Sequence, residues 1–202
     1  MNIILQEVLK IKNNCVFSSD AASYLQEYKE ILKEMIKEMT KIQLSDSISF
    51  NFIVQMIPHH RAAIKMSENI LKYTDNEQLK KIAEEIISEQ TESIENMLQI
   101  KESCQNSTNS SRNINSYKCL NNKILQTMFC EMKCAYSNNC INCNFIREMI
   151  PHHESAVRMS KNTLRFPICC ELKPILEAII TSQEKGICQM KKISRCLSCA
   201  WL

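Results

Sequence analysis

A chain of 202 residues with 45% hydrophobic and 23% charged positions can bury one sizeable core or two small ones, and it is neither disordered nor fibrous in composition. Its net charge of +3 arises from 25 basic and 22 acidic residues mixed along the sequence, which argues against nucleic acid as a partner. A single glycine excludes Gly-rich phosphate loops, and the scarcity of strand signals leaves an all-α fold as the expectation.

In chain order, the apolar spacing of Ile3, Ile4, Leu5, Val8, Leu9 and Ile11 predicts a short helix that ends near Asn13 and Asn14. This leading segment carries Glu7, Lys10 and Lys12 and has no sustained apolar core. It is therefore a poor secretory signal, and a cytoplasmic protein is expected. No apolar run of about 18 residues exists that could cross a membrane.

From Asp20 to Gln43, Leu25, Tyr28, Ile31, Leu32, Met35, Ile36, Met39 and Ile42 follow helical spacing, with Asp20 available as the cap. A second helix runs from the Ser45-Asp46-Ser47 turn to about Tyr73 and contains Pro58. An interior proline removes one backbone hydrogen bond, so a kink is expected there. Asp75 is the candidate cap of a third helix, built on Leu79, Ile82, Ala83, Ile86, Ile87, Gln90, Ile94, Met97 and Leu98 and fading by about Lys101. The Asn/Ser-rich stretch 103–116 reads as a linker.

After it the pattern restarts. At a fixed offset of 93, residues 51–100 match residues 144–193 at 23 of 50 positions. The expected organisation is a first helical repeat over 1–102, a linker over 103–116 and a second, cysteine-rich repeat over 117–202, each repeat with about three helices.

All four histidines lie in two identical pentads, Met56-Ile57-Pro58-His59-His60 and Met149-Ile150-Pro151-His152-His153. Residues three and four apart share a helix face, so Met56 and Met66 flank His59 and His60, while Met149 and Met159 flank His152 and His153. Imidazole suits several transition metals, and thioether sulfur selects Cu(I) and similar soft ions. Buried imidazoles must otherwise satisfy their ring nitrogens by hydrogen bonds, and doing so twice at matched positions is less economical than binding a metal. Met35, Met39, Met97, Met128, Met132 and Met190 are further candidate ligands, although methionine at helical spacing also serves as core filler.

Eleven of the 12 cysteines lie at or beyond Cys104. In a cytoplasmic protein they would be thiols or metal ligands, with disulfides as the alternative. Cys140 with Cys143 and Cys196 with Cys199 are C-x-x-C pairs that together supply the donors of a four-thiolate zinc site. Cys130 and Cys134 sit one turn apart and could take a metal or bond to a neighbour, whereas Cys15 and Cys188 read as inert buried residues.

The segment F-x-x-x-M-I-P-H-H-x-x-A-[IV]-x-M, followed by a helix ending Q-x-x-x-I-x-x-M, resembles the DUF305 family. That resemblance implies a ferritin-like helical fold, copper binding or copper tolerance as the function, and ligand roles for Met56, His59, His60, Met66, Met149, His152, His153 and Met159. Family members often have Asp three residues before the Phe, where this chain has Ser49 and Asn142.

A non-enzymatic binder that sequesters or buffers a soft transition metal, Cu(I) above all, through paired His/Met sites, one per repeat, is therefore expected. The Glu-x-x-His pattern of a di-metal carboxylate oxidase is absent, since Met56 and Met149 occupy those positions. The alternative is a structural or assembly protein, such as a coat or envelope layer component, that self-associates through cysteine cross-links.

Overall fold

The computed structural model describes residues 16–197 and contains six helices: α1 (Ser19–Lys41), α2 (Ile48–Leu71), α3 (Glu77–Gln105), α4 (Ser111–Lys133), α5 (Ile141–Thr163) and α6 (Leu172–Cys196). The fold is all-α, and no strand occurs among the described residues. The expected helix over residues 1–14, Cys15 and Cys199 lie outside the described residues.

The starts of α1 to α5 are each set by a short side chain that accepts a backbone N–H left over from the first turn, whereas α6 has no such cap. Ser18 Oγ accepts from Ala21, Ser47 Oγ from Phe50, Asn76 Oδ1 from Leu79, Ser110 Oγ from Asn113 and Cys140 Sγ from Cys143. The caps are thus Ser18 and Asn76, not Asp20 and Asp75. Asp20 lies inside the first turn of α1, where its charge favours the positive end of the helix dipole.

The expected linker over 103–116 shrinks to residues 106–110, because α3 continues to Gln105 and α4 begins at Ser111. Buried Cys104 holds the end of α3 in place, and buried Ile114 gives the polar start of α4 an inward side. Both α2 and α5 run unbroken through Pro58 and Pro151.

Helices α2 and α5 occupy the centre. α1 and α3 pack on α2, α4 and α6 pack on α5, and the halves meet through α2 against α5 and α3 against α6. One hydrophobic core draws residues from all six helices.

Hydrogen bonds recur at the offset of 93. Ser45 N donates to Asn51 Oδ1 at 2.8 Å while Asn51 Nδ2 donates to Ser45 O at 2.9 Å. In the second half, Asn138 N donates to Asn144 Oδ1 at 3.0 Å and Asn144 Nδ2 to Asn138 O at 2.7 Å. Both asparagines are buried, so removing either amide strands backbone groups. Asn51→Ala and Asn144→Ala are each expected to cost about 1–3 kcal/mol, read from the urea midpoint.

At one end of the molecule a disulfide joins Cys104, in the last turn of α3, to Cys169, just ahead of α6. Ser47 Oγ donates to the Cys104 carbonyl at 2.6 Å, and Cys169 N donates to Ser49 Oγ at 3.0 Å. Asn109 N donates to Asp46 O, and Asn109 Nδ2 to Pro167 O. The start of α2, the end of α3 and the α5–α6 loop are thereby tied together.

Candidate metal centre

The pentads lie mid-way along α2 and α5, where the two central helices cross, so the histidines of both halves come together. His59 and His152 face each other with ring centroids 3.7 Å apart and planes tilted by 33°. His60 lies 6.0 Å from His59, and His153 lies 6.0 Å from His152. The four imidazoles therefore form one row, His60, His59, His152, His153, and not two separated pairs. None is more than 1% exposed.

The hydrogen bonds of the row fix where its lone pairs are. His152 Nε2 lies 3.1 Å from the His59 carbonyl oxygen. A carbonyl only accepts, so Nε2 carries the proton and Nδ1 is left with a bare lone pair. Ser155 Oγ donates to the His152 carbonyl at 2.6 Å, which leaves it to accept from His59 Nε2 at 2.9 Å. His59 is thus in the same tautomer. His60 Nε2 pairs with Ser93 Oγ at 3.2 Å. In all four residues the buried Nδ1 has no hydrogen-bond partner.

Burial, more than any neighbouring charge, pushes all four histidines down from the ordinary imidazole range: His60 to about 3, His152 to about 4, and His59 and His153 well below. The row is neutral at physiological pH and presents unprotonated nitrogens. Next to it, Glu148 is buried and accepts a hydrogen bond from Tyr24 Oη, and burial raises its carboxyl to about 8.

Met35, Met39, Met56, Met66, Met97, Met128, Met132, Met149, Met159 and Met190 are all buried in the shared core. Met128 lies against Ser155, its Sδ 2.7 Å from the Oγ, as the alternative acceptor for the one hydroxyl proton. Among the described residues, no three His, Cys, Asp or Glu side chains converge closely enough to hold an ion by themselves.

The cysteines do not assemble with the row. Cys143 is disulfide-bonded and is therefore unavailable as a thiolate, which removes the four-thiolate zinc site expected from Cys140, Cys143, Cys196 and Cys199. Cys140 caps α5 and Cys196 is exposed at the end of α6. Cys188, expected to be buried, is also exposed. Cys130 and Cys134 are exposed at the end of α4, and contact with the Cys134 thiol raises the Cys130 thiol pKa.

Ser155, Ser93 and Gly186 carry no motif and were not candidates in the sequence. Gly186 is the only glycine, and it stands at the offset of 93 from Ser93. A Cβ there would meet His153 Cδ2 at 3.1 Å and Nε2 at 3.2 Å, so the missing side chain makes room for the ring. That coincidence of offset and uniqueness is the signal by which Gly186 could have been found.

The profile described as "Domain of unknown function (DUF305)" matches residues 49–194, a span that contains both pentads. No curated protein sequence matches the chain. Solved structures are similar. "CopM in the Ag-bound form (by soaking)" is 29% identical with a TM-score of 0.54, covering 76% of this chain and 97% of that one. "CopM in the Cu(I)-bound form" gives the same identity and coverage with a TM-score of 0.53. A DUF305 fragment from Deinococcus radiodurans, at 18% identity and a TM-score of 0.53, covers 72% of this chain and 94% of its own and supports the fold alone.

Proposed function

The chain belongs to the DUF305 family, and from that premise we propose that it sequesters or buffers a soft transition metal, Cu(I) above all, without catalysing a reaction. The observation that carries this reading is the buried row of neutral imidazoles whose four Nδ1 atoms have no partner. A buried polar atom left unpaired costs about 1–3 kcal/mol, and a ligand that takes several lone pairs at once removes that cost. The donor set fits a soft ion. An ion held here by imidazole nitrogen and thioether sulfur would be a soft one, Cu(I) in preference to zinc. The similarity to CopM, solved with Cu(I) and with Ag bound, supports the same choice of metal.

In this reading His59, His60, His152 and His153 supply nitrogen, and Met56, Met66, Met149 and Met159 supply sulfur, with Met128 brought to the row through Ser155. Met35, Met39, Met97, Met132 and Met190 act as pliable packing or as further sulfur donors. We read the two halves as copies of one ferritin-like unit, on the strength of the hydrogen bonds repeated at the offset of 93.

Native mass spectrometry after thiol blocking tests the proposal. Saturable Cu(I) uptake is expected, lost when His59, His60, His152 and His153 are all replaced by Gln with helicity retained. An unmutated protein that takes up no Cu(I) would sink the proposal. A second reading, a cross-linked assembly protein, draws on the exposed thiols of Cys119, Cys130, Cys134, Cys170, Cys188 and Cys196. Disulfide-linked oligomers without metal uptake would favour it.

A further inference from the structure

A row of fully buried ligands poses the question of how an ion reaches it. Between α3 and α6 lies a cleft of about 180 Å³ that has His60 in its wall and is bordered by Glu89, Gln90, Glu92, Ser93 and Gln183. Two buried glutamines stand in its wall beside Ile175, Ala178 and Ile179. Gln90 is 1% exposed, yet neither its amide nitrogen nor its amide oxygen has a partner, and Gln183, at the offset of 93 from Gln90, leaves its Oε1 unpaired at 2% exposure. Stranded amides of this kind are costly where nothing visits them. Ser93 connects the cleft to the row, because its hydroxyl is the partner of His60 Nε2. The exposed Glu92 puts negative charge on the same cleft, and Glu89 adds to it while also pairing with Lys185 at 3.5 Å.

We propose that this cleft is the entry path for the metal cation, with the Gln90 and Gln183 amides as its waypoint and His60 as the first imidazole reached. The inference rests on the metal-binding reading above. Amide oxygens are weak ligands for a soft ion, so they let it pass where thioether or thiolate would hold it, as transit requires binding strong enough to admit and weak enough to release. The carboxylates act at longer range by raising the local cation concentration, an effect that fades with salt.

The test follows transfer of Cu(I) from its chromogenic bicinchoninate complex to the thiol-blocked protein by stopped-flow absorbance. Rate and equilibrium position are recorded for the unmutated chain, for Gln90→Leu/Gln183→Leu and for Glu89→Gln/Glu92→Gln. The Leu pair is expected to slow loading by about tenfold or more while affinity stays within about threefold, because only the path has changed. Neutralising the two carboxylates, with helicity checked by circular dichroism, is expected to slow loading several-fold at low salt and to flatten its salt dependence. Unchanged rates in both variants with normal uptake by the unmutated protein would overturn the path alone. Loss of affinity in parallel with rate would make the glutamines ligands and would also overturn it. Should the Leu pair fail to fold, the carboxylate pair decides. Absence of uptake by the unmutated protein would refute the metal-binding reading and the path with it.

Discussion

Lowering the pH of the metal-free protein from 6.5 to 4 is expected to unfold it. His60 and His152 have folded-state values of about 3 and 4, and His59 and His153 are also held well down. A histidine in the unfolded chain takes its proton near pH 6.5. Between these values the unfolded state binds more protons than the folded one. The stability contributed by each neutral histidine is therefore present above about pH 6.5 and lost as pH falls toward the folded value. Each such histidine accounts for about 1.4 kcal/mol per pH unit.

Glu148 acts in the opposite sense. Its folded value of about 8 lies above the ordinary 4.5, so the stability it contributes is present below about pH 4.5 and is lost as pH rises toward 8. Four histidines against one carboxyl leave a net loss of about 4 kcal/mol per pH unit on acidification, enough to exhaust a typical domain stability of roughly 5–15 kcal/mol within a few pH units. Above pH 6.5 only the Glu148 slope remains. Urea midpoints across pH are expected to peak near 6.5, and Glu148→Gln is expected to flatten the alkaline side and to steepen the acid side between about pH 4.5 and 6.5. A profile without an acid slope would contradict the buried, neutral row.

Reducing the Cys104–Cys169 disulfide, or replacing both residues by Ser, is expected to lower stability by about 2–4 kcal/mol. The bridge closes a stretch of 65 residues that contains α4 and α5 entire, so opening it frees a large part of the unfolded chain. The loss should appear as a lower urea midpoint in dithiothreitol. In Cys104→Ser/Cys169→Ser the dithiothreitol effect should shrink to what the Cys143 disulfide contributes. The position at the offset of 93 above Cys104 is Leu197, and the one the same distance below Cys169 is Asn76. The Cys104–Cys169 bridge therefore has no counterpart at the matched positions of the second half, where Cys143, in the first turn of α5, is disulfide-bonded instead.

Helical periodicity made the elements legible, because long apolar stripes such as Leu25 to Met39 have one solution. The pentads were legible because a repeated word containing every histidine is improbable by composition. The meeting of His59 and His152 was not, since it depends on which faces of α2 and α5 oppose each other, and sequence spacing within a helix says nothing about that. Nor were Ser93 and Ser155 legible: single hydroxyls on a helix usually face water, and only the tertiary packing brings them to imidazoles. The 103–116 stretch misled for a related reason. Asn and Ser resemble a loop, but Ser110 caps a helix that Ile114 and Tyr117 anchor in the interior.

The exchanges of Ser93 for Gly186 and of Ala62 for Ser155 at the common offset mean that neither half can stand in for the other. A homodimer of the first half would lack the hydroxyl that bridges His59 and Met128, and a homodimer of the second would lack the one that holds His60. The two halves are complementary parts. Expressed as separate polypeptides, they should recognise each other in preference to themselves, and the intact row of imidazoles belongs only to the mixed pair.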